Sequence, residues 1–217
     1  TAGQEWWLLE PATMQRTRAP VQGRASACCW APDGSGFVVF QDGALWLAAP
    51  NQEQPRRLTD WTWSSGAPHL SWAPDGSTLV GVEATATGFQ AVAVDPVSGQ
   101  RRTLLTPEQV AQATTAAGVQ GQAAGPTLSA WAPDGSALAY LSWVVTEPTD
   151  RPVMRRYVLL VTPGGAGGSA AALEGFWDLE GLSGTVHLAW SPDGTQLAIG
   201  ASGTAGQPGR LLLVGSS

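Results

Sequence analysis

The sequence predicts an all-β protein built from repeated sheets, and two observations carry this prediction. First, a six-residue phrase occurs four times, and its tryptophans follow one another at intervals of 42, 59 and 59 positions. Second, each copy lies between two short apolar runs with the length and alternation of β-strands. A period in this range indicates a repeat architecture with one supersecondary unit per copy. The copies are Trp30–Ser35, Trp72–Ser77, Trp131–Ser136 and Trp190–Thr195.

The phrase itself predicts a tight hairpin turn. Proline fixes φ at the first corner, aspartate accepts hydrogen bonds from nearby backbone, and glycine supplies the positive φ that closes the hairpin. The apolar runs on either side are therefore the first two strands of a unit. We interpret the four aspartates as turn-forming rather than catalytic: Asp33, Asp75, Asp134 and Asp193.

Later runs predict a third strand in every unit, and a fourth strand in the first two units at Arg56–Thr59 and Arg101–Leu105. Four strands per unit, with tryptophan on the first, is the sequence form of a propeller blade. We predict one β-propeller domain over residues 1–217, with four to five blades or a partial ring. The expected blades lie near residues 5–18 (partial), 26–59, 68–106, 127–173 and 186–217.

The phrase Trp-[Ala/Ser]-Pro-Asp-Gly-[Ser/Thr], followed by an Arg-Arg-Leu-Thr edge strand, resembles the propeller repeat of TolB-type proteins, a relative of the tryptophan–aspartate repeat. The resemblance covers about residues 26–217. It implies a bacterial propeller in an extracytoplasmic location, periplasmic or secreted. The family also includes propeller domains of serine peptidases. Their nucleophile lies in a separate domain, so no catalytic residue is carried over to this chain.

Two strands are predicted near the N-terminus, Glu5–Glu10 and Met14–Arg18. They resemble the third and fourth strands of a blade. Met14–Arg18 is a candidate to complete the blade that begins at His187, which would leave Glu5–Glu10 as a surplus strand. The alternative is an open arc, whose exposed strand edges could pair with another chain.

Composition excludes several classes of function. The net charge is −6 and all eleven cationic side chains are arginine, so no basic stripe for nucleic acid is expected. No apolar run has the length of a membrane span, and none is typical of a signal peptide. The lysine-free composition is typical of a GC-rich bacterial genome. The adjacent Cys28 and Cys29 are predicted to be reduced core residues.

The sequence predicts a non-enzymatic protein without catalytic residues, bound cofactor or metal. No nucleophile elbow, zinc-protease, P-loop or dinucleotide-binding motif occurs. His69 and His187 share one repeat position, three residues before the tryptophan. A zinc site needs three or four converging ligands, so we interpret both as structural.

The connections between blades predict the working surface. In a propeller they emerge on one face, and the Pro-Asp-Gly turns emerge on the other. Trp61, Trp63 and Trp177 fall in predicted connections, outside the repeated phrase, and are candidates to bind a partner protein. The competing interpretation is that they fold back over the blade ends. The Thr106–Gly125 connection is expected to assist, with a short helix capped by Thr106 and opened by Pro107.

The function predicted from the sequence is a protein–protein interaction scaffold, serving as a subunit of, or adaptor for, a larger extracytoplasmic assembly. One alternative is a propeller that binds a ligand or glycan. The other is the propeller domain of a hydrolase whose catalytic domain is not in this chain.

Overall fold

The structure is a computed structural model. It describes residues 5–62, 69–116, 122–146, 153–162, 172–178, 186–202 and 209–215. Within these residues the chain forms 17 strands and one helix. The strands make five antiparallel sheets, and each sheet contains strands that are consecutive in the sequence.

The first sheet is a two-stranded N-terminal hairpin, followed by two four-stranded blades. The hairpin consists of β1 (Glu5–Glu10) and β2 (Gln15–Gln22). Blade 1 consists of β3 (Ser26–Trp30), β4 (Phe37–Gln41), β5 (Ala44–Ala48) and β6 (Arg56–Asp60). Blade 2 consists of β7 (Leu70–Trp72), β8 (Leu79–Thr85), β9 (Gly88–Val94) and β10 (Arg101–Leu105).

A helix, α1 (Pro107–Ala116), separates blade 2 from blade 3. Blade 3 consists of β11 (Gln122–Trp131), β12 (Leu138–Thr146), β13 (Val153–Thr162) and β14 (Ala172–Asp178). Blade 4 consists, in the described residues, of β15 (Val186–Trp190), β16 (Gln196–Ala201) and β17 (Arg210–Gly215).

The repeated phrase forms the same hairpin turn in every blade, as predicted. Its tryptophan ends the first strand and pairs with the first apolar residue of the second, as in Trp30 with Phe37 and Trp72 with Leu79. The phrase glycines have φ between 71° and 74°. Each aspartate accepts a hydrogen bond from the backbone N–H two residues further on, at 2.9 to 3.1 Å.

The blades stand side by side, with their first strands next to one another near the centre of the arc. Side chains that alternate along a strand point to opposite sides of the sheet. In β9, Val92 and Val94 pack on blade 1, whereas Ala91 and Ala93 pack on blade 3. We call these the preceding side and the following side of a blade. The apolar core thus lies in layers between blades, and the fold is a partial β-propeller.

The N-terminal hairpin does not complete blade 4, contrary to the expectation for Met14–Arg18. Its two strands pair with each other. Ala19 and Val21 are buried against blade 1, with Trp6 and Leu8 packed beside them. The hairpin therefore covers the preceding side of blade 1, because its inward apolar side chains are buried there.

Blade 3 is longer than predicted. It extends from Gln122 to Asp178 rather than over residues 127–173, because β11 and β13 each contain ten residues. The predicted helix is confirmed, including its cap. The backbone N–H of Gln109 donates to the Thr106 hydroxyl at 3.3 Å, and the Thr106 N–H donates to the Gln109 amide oxygen at 2.9 Å. This reciprocal pair is a capping box, and it fixes the start of α1.

Candidate interaction surfaces

Trp61 lies in the connection after blade 1 but is not exposed there, although a residue that contacts a partner would have to be. It is 2% exposed and belongs to the core layer between blades 1 and 2. Its indole N–H donates to the Val82 carbonyl at 3.1 Å. Space for the ring exists because Gly81 has no side chain: a Cβ there would come within 2.8 Å of Trp61 Cζ2. Trp61 therefore anchors the connection that follows blade 1.

A buried carboxylate fixes the same connection one residue further on. Glu83 is 5% exposed and accepts hydrogen bonds from the Thr62 backbone N–H at 3.0 Å and from the Gln90 amide at 3.1 Å. It also forms an ion pair with Arg101. The Arg101 guanidinium lies over the Trp61 ring, 5.6 Å from its centroid. Each charged group is thus paired, as burial of a charge requires.

The other two predicted contact residues have different positions. Trp63 lies outside the described residues. Trp177 does not lie in a connection: it is on β14, the last strand of blade 3, where it pairs in register with Val158. Trp61 and Trp177 therefore do not lie exposed in blade-to-blade connections, as the prediction of a shared recognition face expected of them. The part of the prediction that remains is Trp63, which follows the anchored Trp61 and Thr62.

The opposite face, formed by the Pro-Asp-Gly turns, carries a repeated contact between blades. The indole N–H of Trp72 donates to the Cys29 carbonyl at 3.2 Å, and that of Trp190 donates to the Ala130 carbonyl at 3.0 Å. In both cases the acceptor is the residue directly before the repeat tryptophan of the preceding blade, Cys29 before Trp30 and Ala130 before Trp131. Trp30 belongs to blade 1, and the sheet before it in the described residues is the two-stranded hairpin, which has no equivalent first strand. The Trp30 side chain is 48% exposed. In blades 2 and 4 the repeat tryptophan is therefore a link to the preceding blade, whereas the indole N–H of Trp131 in blade 3 has no hydrogen-bond partner among the described residues.

The turns also stack on one another. A Cβ placed on Gly76 would lie 3.9 Å from the ring of Pro32, and the same relation holds for Gly135 with Pro74 at 3.8 Å. Gly194 and Pro133 repeat it at 3.7 Å. The proline of each turn thus faces the glycine of the next.

A groove of about 410 Å³ lies on this face between blades 1 and 2. Trp72, Leu47 and Val97 supply its apolar lining, and Asp33 and Arg56 are among its polar residues. The guanidinium of Arg56 donates to the carbonyls of Pro96 and Val97 in blade 2. Arg56 therefore ties blade 1 to blade 2, and Arg101 of blade 2 does the same by donating to the Asp60 carbonyl at 3.2 Å.

The aspartate carboxylates on the turn face accept hydrogen bonds from residues of their own turns. Hydrogen bonds from the Ser35 backbone and hydroxyl hold the pKa of Asp33 below its usual value. Ser77 does the same for the pKa of Asp75, and Ser136 for that of Asp134. For Asp193, the hydroxyl of Ser191 is the largest cause of a lowered pKa. Such carboxylates remain ionised and are poorly suited to proton transfer near neutral pH.

Other polar groups offer little chemistry. Burial raises the pKa of the Tyr140 phenol, whose hydroxyl has no hydrogen-bond partner among the described residues. His69 and His187 are both exposed. Among the described residues, no three histidine, cysteine or acidic side chains converge as a metal site would need. No helix in the same part of the chain is long and apolar enough to cross a membrane.

Comparisons with known proteins support the fold. No protein-family model and no curated protein matches the chain. Among solved structures, it resembles a putative TolB from Agrobacterium tumefaciens, with 16% identity, 95% of this chain and 64% of that chain covered, and a TM-score of 0.56. It also resembles an oligogalacturonate lyase in complex with manganese, with 16% identity, coverage of 96% and 53%, and a TM-score of 0.61.

A third similar structure is the tricorn protease, with 11% identity, coverage of 95% of this chain and 23% of the other, and a TM-score of 0.57. The chain spans between about half and two thirds of the first two structures. At these identities the likeness concerns the fold alone, and the neighbours include an enzyme as well as TolB. What the chain shares with them is the TolB-like β-propeller architecture.

Proposed function

We propose that this chain is a non-enzymatic protein–protein interaction scaffold of the TolB-like propeller type. It acts outside the cytoplasm as part of a larger assembly. The observation that carries the proposal is the anchored connection after blade 1. Trp61 and Glu83 hold its first two residues rigidly against blade 2, and the next residue is Trp63. Fixing these two residues before binding lowers the entropy cost of ordering the connection when a partner binds.

The hydrogen bonds that these acidic residues make within the fold support the proposed non-enzymatic role. Glu83 is occupied by three donors, and the aspartates of the repeated phrase hold their own turns. Interaction scaffolds use side chains in this structural way, whereas hydrolysis requires a carboxylate or nucleophile that can reach substrate. Tryptophan is among the residues that contribute most to protein interfaces.

The test is a comparison of partner capture by matched variants. Tagged wild type, Trp63→Ala and Val97→Ala are purified from the cells that encode the protein, and co-purifying proteins are quantified by mass spectrometry. Val97 is 82% exposed on the turn face, so Val97→Ala controls for loss of an exposed apolar side chain elsewhere. We expect Trp63→Ala to lose a specific partner by roughly tenfold or more, and Val97→Ala to retain it.

Two results would overturn the proposal. One is equal recovery of every co-purifying protein from wild type and Trp63→Ala. The other is catalytic turnover by the pure chain of peptide or ester substrates, or of oligogalacturonate with and without added manganese. The last assay is included because one structural neighbour is an oligogalacturonate lyase in complex with manganese.

A further inference from the structure

A cavity of about 300 Å³ opens between the N-terminal hairpin and blade 1. Its volume is at the lower end of the range for small-molecule sites, about 300–1,000 Å³. The hairpin supplies one wall, and the other walls belong to β4, β5 and the loop between β5 and β6. The lining residues are Pro20, Gln41, Trp46, Glu53, Gln54 and Pro55. The cavity therefore combines an aromatic ring, amides and a carboxylate with conformationally restricted prolines.

Trp46 occupies a strand position at which the other blades have an aliphatic residue. It pairs with Val39 of β4, two positions after the residue that pairs with the repeat tryptophan Trp30. The residues at the same register position in blades 2, 3 and 4 are Val92, Leu159 and Leu212. Blades of this fold are therefore built without an aromatic ring at this position, and the tryptophan in blade 1 needs another explanation.

The ring of Trp46 is held in one orientation. Its indole N–H donates to the backbone carbonyl of Gln41 at 3.1 Å. The side chain also packs against the core layer between the hairpin and blade 1, which includes Phe37 and Val39. It is nevertheless only partly buried, and it lines the cavity. Because the ring is fixed in advance, little side-chain entropy is lost when a ligand contacts it.

The polar side chains beside Trp46 retain unused hydrogen-bonding capacity. Glu53 and Gln54 are exposed, and their side chains form no hydrogen bond or ion pair with the other residues that the structure describes. The amide nitrogen of Gln41 donates to the Asp42 carboxylate at 3.2 Å, so its amide oxygen can still accept a hydrogen bond. These groups differ from Glu83, whose carboxylate is occupied by donors of the fold itself.

We propose that this cavity binds a neutral saccharide. A sugar ring has a face of C–H groups and a rim of hydroxyl groups. The C–H face stacks on Trp46, because the negative face of an aromatic ring attracts weakly positive hydrogens. The hydroxyl groups donate to the Glu53 carboxylate and exchange hydrogen bonds with the amides of Gln41 and Gln54. A cavity of this size holds a single sugar ring or a short segment of a longer chain.

The charge of the cavity favours a neutral sugar over an acidic one. Glu53 is a carboxylate, and none of the described residues that line the cavity is cationic. A uronic acid or a sulfated sugar would therefore place a second negative charge beside Glu53 without a positive partner. Juxtaposed like charges are a strong element of discrimination against the wrong ligand.

A proline-rich peptide fits the cavity less well than a saccharide. Such peptides dock in grooves lined by several aromatic side chains. Here Trp46 is the aromatic residue among the described lining residues, and Pro20 and Pro55 form part of the walls. Proline has no N–H to donate, so a proline segment would leave the Glu53 carboxylate without a partner. A saccharide uses both the ring and the polar groups around it.

This inference goes beyond the proposed protein-binding function and does not depend on it. The cavity shares no residue with the connection after blade 1, which contains Trp61 and Trp63. The two activities can therefore fail separately. Trp63→Ala should bind saccharide as wild type does, and Trp46→Ala should still capture the protein partner.

The test measures binding of defined oligosaccharides to the purified full chain by isothermal titration calorimetry and saturation-transfer NMR. The neutral probes are cellohexaose, maltohexaose, mannohexaose and the hexamer of N-acetylglucosamine. Hexagalacturonate is the acidic probe, and decaproline is the peptide probe. We expect at least one neutral probe to bind, and hexagalacturonate to bind more weakly than this probe by roughly tenfold or more.

Matched variants assign the binding to the cavity. Trp46→Ala should lower the affinity for the neutral probe by roughly tenfold or more. The control is Trp7→Ala, which removes a tryptophan that is 48% exposed on the hairpin and does not line the cavity, and it should leave the affinity unchanged. Because Trp46 also packs on the core, a second variant combines Glu53→Ala with Gln54→Ala. It should lower the affinity by roughly threefold to tenfold and leave thermal melting unchanged.

Three outcomes would overturn the proposal. The first is a wild-type chain that binds none of the neutral probes. The second is equal affinity of wild type and the Glu53→Ala, Gln54→Ala variant for a probe that does bind, which decides the matter even if Trp46→Ala fails to fold. The third is tighter binding of hexagalacturonate or decaproline than of every neutral probe, because the cavity would then select an acidic sugar or a peptide.

Discussion

Blade 2 and blade 4 contain the same hairpin phrase but differ in how they are covered. Blade 2 contributes to two core layers, one with blade 1 and one with blade 3 and α1. The described residues of blade 4 contribute to a single layer, with blade 3. Its hairpin turn nevertheless has the same geometry, with φ of 71° at Gly194 and 72° at Gly76. Local sequence therefore determines the turn, whereas neighbouring blades determine the burial of the strands.

The largest expected effect comes from placing a charge at one strand position in both blades. We expect Ala93→Glu to destabilise the protein by about 3–5 kcal/mol, because it buries an unpaired carboxylate and overfills a packed layer. Leu213→Glu should change the free energy of unfolding by only about 0.5 kcal/mol, because the residue is exposed. Urea denaturation followed by circular dichroism measures both. Equal losses in the two variants would show that blade 4 is covered.

A second pair of variants separates turn strain from blade packing. Gly34→Val and Gly76→Val each force a β-branched residue into positive φ, at a cost of about 1–3 kcal/mol. A Cβ on Gly34 meets nothing within 4 Å, and one on Gly76 lies 3.9 Å from Pro32, an ordinary contact. We therefore expect similar losses in thermal stability. A much larger loss for Gly76→Val would show that the turns are packed more tightly than this distance indicates.

A third pair tests the indole link. Trp72→Phe removes the donor to Cys29 and should cost about 1–2 kcal/mol, including the smaller ring. Trp30→Phe occupies the same repeat position without a preceding acceptor, and should cost about 0.5 kcal/mol or less. Chemical denaturation of the two variants gives the comparison. If Trp30→Phe is the more damaging change, contact with Phe37, at 5.0 Å between ring centroids, outweighs the link.

The smallest effect concerns acid stability. The pKa of Asp75 lies below its usual 3.8, chiefly through the Ser77 backbone hydrogen bond. A lowered folded-state pKa stabilises the fold above the unfolded pKa, and this contribution is lost as the pH falls through the folded pKa. Asp75→Asn keeps an oxygen acceptor but does not titrate. Its stability should therefore fall less steeply below about pH 4 than that of wild type.

The same acid titration extends the comparison to blade 4. Because Asp193 is also exposed and has a lowered pKa, Asp193→Asn should flatten the profile to a similar extent. Thermal melting between about pH 2 and about pH 6 measures both profiles. An effect confined to Asp75 would indicate that the turn aspartates depend on the cover of their blades.

The sequence predicted the features that depend on neighbouring residues. The hairpin turns were predicted from Pro-Asp-Gly, and the start of α1 from Thr106 and Pro107. The structure adds the reciprocal hydrogen bonds between Thr106 and Gln109. Strand boundaries were less accurate in blade 3. Its β14 contains Gly175 beside Phe176 and Trp177, a composition without clear alternation, and the strand is stabilised by pairing with β13.

The features that were missed depend on contacts across blades. Trp61 is buried because Gly81, twenty residues later, leaves room for its ring. A glycine inside an apolar strand was the available signal, since it often marks close approach by another group. Glu83 was a similar signal, because a carboxylate in a buried strand needs a partner. The sequence could not show that Arg101 would supply it, since that pairing depends on β8 and β10 lying on either side of β9 in the sheet of blade 2.

The side-by-side order of the blades has a consequence for how the chain is made. In the described residues each junction joins blades that are consecutive in the sequence, so a blade can pack as soon as the next blade has been made. Repeat proteins whose units contact only their neighbours can add these units in succession. During synthesis, the hairpin can receive blade 1, blade 1 can receive blade 2, and each new sheet forms on a surface that already exists. At any stage of synthesis, the following side of the most recently formed blade is the surface that needs protection from aggregation on the ribosome.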